Sequence, residues 1–596
     1  MARLFDEHVK RQVKILDGAW KFCTDPADEG MGAGWYLGNI NGETVSVPSV
    51  WNNQKELLRY EGAAWYEKSF YTEGGALRFC FGAVLTEADV WLDGRYLGNH
   101  YGGFCQFEFM VPEVAEGWHR LTVRADNRFD AHSIPQAQVD WYHYGGIIRS
   151  VTVETLKGIC ITHSRFDYEL SDDLSEAKCS LVLRLYNAKN SEISTTLKAA
   201  VGDREVYQGQ VRLNGGEETE LTLPSFIFDQ IRLWDVFEPN LYMVSMFTDT
   251  DDLRERIGFR KIEVQDQKIL LNRHEIEIMG VNRHDEYPEF GFAFPQSLMK
   301  RDLDMIVNMG CNFIRGSHYP NSRDFLDFLD ERGILFWSEI PIWGCGFSEE
   351  ALADPVVVSR GLEMHREMVK YYNNHPSIIM WGMHNEILTS TRAGYEMSKC
   401  YYEYLKKNGG PRLVVYASHV PMKDICMEFT DVICLNLYHG WYQGGLETWK
   451  VELDRFDARR KELGFETKPI IMSEFGAAAI YGWHDDEDIR WSEEYQAKLI
   501  TYCLNLFHEY PAIAGSVIWQ FCDIRTASEA GISRARGFNN KGLVNEYRKP
   551  KQAYFAAKKW FRQFAEEREK YLLIPTSFDK KLIKTNKAKK VIDKTL

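Results

Sequence analysis

No run of about 18 apolar residues occurs along the 596 positions, so no membrane-spanning helix is predicted. The opening Met1-Ala-Arg-Leu-Phe-Asp-Glu-His8 lacks the apolar stretch of a secretory signal. Cysteine pairs are missing as well. The twelve cysteines (Cys23, Cys80, Cys105, Cys160, Cys179, Cys311, Cys345, Cys400, Cys426, Cys434, Cys503 and Cys522) show no CxxC spacing, and several sit inside apolar runs. That pattern excludes a zinc ribbon and predicts free thiols in a reducing cytoplasm. HxH and HExxH are absent, so no metal is predicted, and neither GxGxxG nor GxxxxGK[ST] offers a phosphate loop. Positive charge is short: 71 Lys and Arg against 86 Asp and Glu give a net −15. An acidic surface repels phosphate and disfavours nucleic acid and anionic membranes. A small anionic substrate remains admissible, because it responds to its own pocket.

Aromatic residues, in contrast, are plentiful at 14%, with 17 Trp and 30 Tyr, and flat rings suit sugar faces as well as protein cores. The length predicts two to four domains. Residues 1–158 read as short alternating strands, such as Glu87-Ala-Asp-Val-Trp-Leu92 before an Asp93-Gly94 turn, and predict a jelly-roll-like β-sandwich. Residues 159–262 repeat that style over the length of an immunoglobulin-like sandwich. From 263 to 570 apolar strands alternate with helical stretches through eight units, which predicts a (β/α)8 TIM barrel. Residues 571–596 form a Lys-rich tail, expected to be solvated.

Barrel enzymes place their chemistry where the strands end. Strand 4 ends in Trp381-Gly-Met-His-Asn-Glu386 and strand 7 in Ile471-Met-Ser-Glu474. Two carboxyls facing each other across a barrel mouth, about 5 Å apart, suit retaining glycoside hydrolysis: one attacks the anomeric carbon while the other protonates the departing oxygen. An isolated Glu at a strand end is as readily an ion-pair partner. The joint occurrence of Asn-Glu and Ser-Glu-Phe-Gly favours the catalytic reading.

Four segments carry a resemblance: Glu277-Ile-Met-Gly-Val-Asn-Arg-His284, Asn312-Phe-Ile-Arg-Gly-Ser-His-Tyr-Pro320, Trp381 to Glu386 and Ile471 to Gly476. In order and spacing they resemble glycoside hydrolase family 2 over nearly all of residues 1–570. The resemblance implies Glu386 as general acid/base and Glu474 as nucleophile. Glu386 is then expected to have a raised pKa, and Glu474 to be kept ionised by Arg315 and Tyr438. Asn385 is expected to bond the sugar 2-hydroxyl.

Within that family, Asn539-x-Lys541 resembles the pair by which glucuronide-cleaving members grip the C6 carboxylate. The implied activity is hydrolysis of terminal β-D-glucuronides by double displacement. The alternatives are a β-galactosidase, a β-galacturonidase or a silent carbohydrate-binding protein. Arg534 and Arg536 both precede the pair, with Arg534 favoured as the carboxylate's partner. Asn436, Tyr438 and Tyr442 resemble the family's sugar-lining segment, and Asp140-Trp-Tyr-His-Tyr the loop sent in by the first sandwich. Asp140 and His318 are expected at the 3- and 4-hydroxyls, with Trp519 flanking the ring. The segment Ile340-Pro-Ile-Trp-Gly-Cys-Gly-Phe-Ser348 is short, which predicts an open mouth favouring bulky or polymeric glucuronides. Some short-loop relatives bind flavin mononucleotide at a surface site, and a homo-oligomer, with a tetramer favoured, is usual. Both are carried as implications of the resemblance only.

Overall fold

The computed structural model describes residues 3–38, 40–527 and 534–572. The Lys-rich segment from Lys580 onward lies outside the described residues.

The first module is a sandwich of a four-stranded and a six-stranded antiparallel sheet. Its strands alternate as the sequence predicts. Glu87–Leu92 and Arg95–Tyr101 are joined at Asp93 and Gly94, whose φ values of 51° and 83° suit a tight hairpin turn. Inward positions such as Trp20, Tyr66, Phe79, Val90 and Val123 make its core. The second module packs two four-stranded sheets over Leu183, Leu197, Val244 and Phe259.

The barrel closes through eight parallel strands, β1 (Ile278–Arg283), β2 (Phe313–Gly316), β3 (Leu335–Glu339), β4 (Ile378–Asn385), β5 (Leu413–Ser418), β6 (Ile433–Asn436), β7 (Ile470–Glu474) and β8 (Ile513–Ile518). These strands are covered by helices on the outside and filled by one another inside, which is why they read as unbroken apolar runs. Helices α1 (Gln296–Met309), α2 (Arg323–Arg332), α3 (Pro355–Tyr372) and α4 (Arg392–Asn408) follow the first four strands. Then α5 (Thr448–Glu462), α6 (Glu493–Glu509) and α7 (Gln552–Leu572) follow β6, β7 and β8, whereas β5 is followed only by a 3-10 turn at Met427–Phe429. Residues 262–276 are not yet barrel: they form a three-stranded antiparallel sheet whose Ile262, Ile269 and Leu271 join Phe313, Leu335 and Trp337 in one apolar cluster. This sheet plugs the N-terminal end of the barrel, so the polar end is the other one.

Two contacts fix the first sandwich over that polar end. Phe104 stacks on Tyr319 at 4.2 Å between ring centroids, and Tyr144 meets Phe292 at 5.0 Å. Arg3, ahead of the first strand, is buried and reaches Asp327 on α2 at 2.9 Å and Glu255 of the second sandwich at 3.0 Å. The described cysteines are free and, Cys23 and Cys400 apart, buried.

Candidate active site

Strand β4 stops at Asn385, and Glu386 turns out of it with φ 52°. That left-handed conformation costs a non-glycine residue roughly 1 kcal/mol or more, so the surroundings must impose it. They do: the Glu386 N–H donates to Ala417 O on β5 at 2.9 Å, and Gly344 packs directly on the Glu386 carbonyl. A Cβ at position 344 would stand 1.6 Å from that oxygen. Glu474 ends β7, 4% exposed, and its Cα pairs in register with Asn436 on β6.

One hydrogen-bonded chain joins the two carboxyls. Arg315 on β2 donates to Glu474 Oε1 at 2.8 Å and, through Nη2, to Asn385 Oδ1 at 2.7 Å. Asn436 Nδ2 reaches the same Asn385 oxygen at 3.1 Å and Glu386 Oε1 at 2.8 Å. The Tyr438 hydroxyl donates to the other Glu474 oxygen at 2.7 Å. Asn385 thus spends its oxygen on protein, while its buried Nδ2 has no partner and is free to donate outward.

The electrostatics depart from the sequence expectation. Burial and repulsion from Glu386 push Glu474 up to about 8, with Arg315 and Tyr438 holding it down. Glu474 is raised because it is almost completely withdrawn from water at the end of β7.

Around them the substrate-sized groups converge. His318 Nδ1 lies 2.7 Å from Glu339 Oε1, and its buried Nε2, without a partner, lies 3.9 Å from Glu474 Oε1. Burial and the nearby Arg315 charge keep His318 neutral, so with Nδ1–H donated to Glu339 its Nε2 is an acceptor. Trp519 stacks on His318 at 5.1 Å. From the first sandwich Asp140 accepts from Arg534 Nη2 at 2.8 Å on each oxygen and from Asn539 Nδ2 at 2.7 Å. Lys541, 1% exposed, donates to the Tyr442 hydroxyl at 2.7 Å and lies among the rings of Tyr438, Trp441 and Tyr442.

Residues 262–566 match "Glycosyl hydrolases family 2, TIM barrel domain", residues 13–157 that family's sugar binding domain, and 159–260 a further model described as "Glycosyl hydrolases family 2". The chain belongs to glycosyl hydrolase family 2. It is a glycoside hydrolase. A β-glucuronidase of Streptococcus agalactiae is 28% identical, over 87% of this chain and 92% of that protein. The structure of a β-galacturonidase from Eisenbergiella tayi bound to galacturonate is 32% identical, with a TM-score of 0.87 over 94% of this chain and 99% of that one. The Ruminococcus gnavus β-glucuronidase structure is 27% identical, with a TM-score of 0.83 over 94% of this chain and 99% of that one.

Within this family 2 site, the residues singled out from the sequence fall into two groups. Glu386, Glu474, Asn385, Asn436, Tyr438, His318 and Trp519 surround the carboxyl pair. Asp140, Arg534, Asn539, Lys541 and Tyr442 lie one step out, and Tyr442 is 61% exposed at the rim. Of the two competing arginines, Arg534 faces Asp140, whereas Arg536 turns away to Glu546 at 2.8 Å. Sequence reasoning missed Glu339. Fully buried at the end of β3, it takes Arg315 in a two-point grip at 2.9 and 3.0 Å and orients His318. A charged residue closing an otherwise apolar strand was the available signal. Asp327, Asp330 and His375 have the proximity of metal ligands, but Asp327 is taken by Arg3, and Asp330 by His375 and the Ser377 N–H. A cleft of about 430 Å³ lies at the junction of the three modules, lined by Arg78, Glu154 and Arg323 rather than by the carboxyl pair.

Proposed function

We propose that this chain is a retaining β-glucuronidase. The observation that carries the reading is the buried Lys541 amine, whose side-chain hydrogen bond among the described residues goes to the Tyr442 hydroxyl and which has no carboxylate partner there, on the side of the pocket where Asp140, Arg534 and Asn539 gather. A buried ammonium without a carboxylate is costly, and a C6 carboxylate from substrate supplies the missing partner. A neutral hexose offers none.

With a glucuronide seated there, the double displacement needs one proton on Glu386 and none on Glu474. Glu386, half-buried and beside the aglycone, donates it to the glycosidic oxygen as the C1–O bond breaks. An oxygen of Glu474, aimed by Arg315 and Tyr438, forms the ester bond to C1. In the second half Glu386 takes a proton from water, the water oxygen bonds C1, and the Glu474 ester is released. The Asn385 Nδ2 donor and the His318 Nε2 acceptor serve the sugar hydroxyls, and Trp519 walls the ring.

The 32% identical Eisenbergiella tayi enzyme favours a second reading, hydrolysis of β-galacturonides, which differ only in the configuration at C4. Nitrophenyl glucuronide, galacturonide, glucoside and galactoside, compared by kcat/KM, separate these readings, with Glu474→Gln as the inactive control. The glucuronide is expected to lead, and Lys541→Ala to lower its kcat/KM by about 100-fold or more, the scale set by leaving a buried charge unpaired. A parent that prefers a neutral glycoside, or a Lys541→Ala enzyme of undiminished efficiency, would falsify the uronide reading.

A further inference from the structure

We propose that Asp523 and Lys551 are positioning residues for the substrate carboxylate: a buried ion pair behind β8 that holds the main chain on both sides of Lys541. This rests on the uronide reading above. The strand Phe538–Asn539 runs into a turn at Asn540 and Lys541, so the three side chains meet different partners. Asn539 reaches Asp140 and Lys541 reaches Tyr442, while Asn540 donates to Asp523 at 3.1 Å.

The pair grips both neighbours of Lys541. Lys551 Nζ donates to Asp523 Oδ1 at 2.8 Å, to the Asn540 carbonyl at 3.0 Å and to the Ala479 carbonyl at 2.7 Å. The Gly542 N–H donates to Asp523 Oδ1 at 2.9 Å. Lys541 itself is fixed by its carbonyl, which accepts from the Gln520 N–H at 3.1 Å and from Gln496 Nε2 at 3.3 Å. The two strands of chain approach so closely that a Cβ at Gly542 would lie 2.2 Å from Asp523 N. Both charged residues are 0% exposed. Desolvating such a pair is costly, and an apolar pair of similar volume would fill the space equally well. What an apolar pair could not do is bind two carbonyls, an amide N–H and an amide side chain around one lysine.

Lys541 has no carboxylate partner among the described residues, so its aim depends on this frame. The test is the double variant Asp523→Asn/Lys551→Met, which removes both charges together and avoids leaving one buried alone. With 4-nitrophenyl β-D-glucuronide its KM is expected to rise about tenfold, with kcat within about threefold of the parent, the scale expected when a binding group is misplaced by a fraction of an ångström. Introduced into Lys541→Ala, the same double substitution is expected to raise KM no further. A folded double variant with the parent's KM overturns the proposal, and so does an equal rise in the Lys541→Ala background, which marks a general structural role. Should the double variant not fold, Asn540→Ala cuts the same tether with the ion pair intact, and an unchanged KM there is equally fatal. A parent that cleaves no uronide sinks the function reading, whereas a parent that cleaves one while these variants keep its KM sinks only the positioning role.

Discussion

The deep carboxyl of Glu474 governs how the stability of this site answers pH. Glu474 is pushed up from the ordinary carboxylate range to about 8 by burial and by Glu386. Below about pH 4.5 it is protonated folded or unfolded and costs nothing. As pH rises toward 8 the unfolded chain has released the proton while the folded protein still holds it, so stability falls, and above 8 the full cost is present. Glu474→Gln should therefore melt higher than the parent above pH 8, with the gap closing toward pH 4.5. Thermal melts across that range check it, and a constant gap would contradict the shift. Glu386→Gln probes the acid. Its loss should be large, on the order of 100-fold or more, for poor leaving groups such as alkyl glucuronides, and small for dinitrophenyl ones that need no proton. Equal losses on both would remove Glu386 from that role. At this scale the sequence was informative wherever a polar residue interrupts an apolar strand in a motif, as in Asn385-Glu386 and Ser473-Glu474. It was silent on depth. That Glu474 is raised follows from its depth, and Glu339 stayed hidden because Ile340-Pro-Ile342 after it reads as more apolar strand.

Among the elements, the loop after β3 does more than connect. Asn385 N–H donates to Ile342 O at 2.9 Å, and Gly344 presses on the Glu386 carbonyl, so this loop shapes the end of β4. Gly344→Ala is expected to displace that carbonyl and lower kcat at least about tenfold while the fold is retained. Unchanged kcat would show that the loop gives way without moving Glu386. The same loop reaches its first short helix at Glu349–Ala353, and on our reading this brevity favours polymeric substrates. A glucuronic-acid-capped oligosaccharide is then expected to exceed a small aryl glucuronide in kcat/KM, and the reverse order counts against an open mouth. Strand–helix alternation made the barrel legible because buried parallel strands must be apolar throughout. The antiparallel plug at 262–276 was not legible as such, since its short strands look like any others until Trp234 and Trp337 are seen to seal them.

For the molecule as a whole, the first sandwich and the barrel share one apolar core. Phe104, Trp141 and Tyr144 of the first sandwich belong to the same apolar cluster as Ile314, Phe336 and Met383 of the barrel. In the loop that delivers Asp140, the flanking Val139 and Trp141 are buried in that cluster. Arg3 joins barrel and second sandwich, and Arg3→Ala leaves Asp327 buried without its closest cation. Breaking a buried pair in this way costs about 3–5 kcal/mol, so a clear drop in melting temperature is expected, and an unchanged melt would remove Arg3 from the joint. Module order and type could be read from the changing rhythm of the sequence. Contacts between residues hundreds of positions apart, such as Arg3 with Asp327, could not, because no local pattern encodes them. The account turns on Glu474 bonding to the sugar, and trapping that bond is its most direct test. Enzyme inactivated with 2-deoxy-2-fluoro-β-D-glucuronosyl fluoride and mapped by peptide mass spectrometry should carry one adduct, on Glu474. An adduct on any other residue, or an active enzyme that never acquires one, would contradict it.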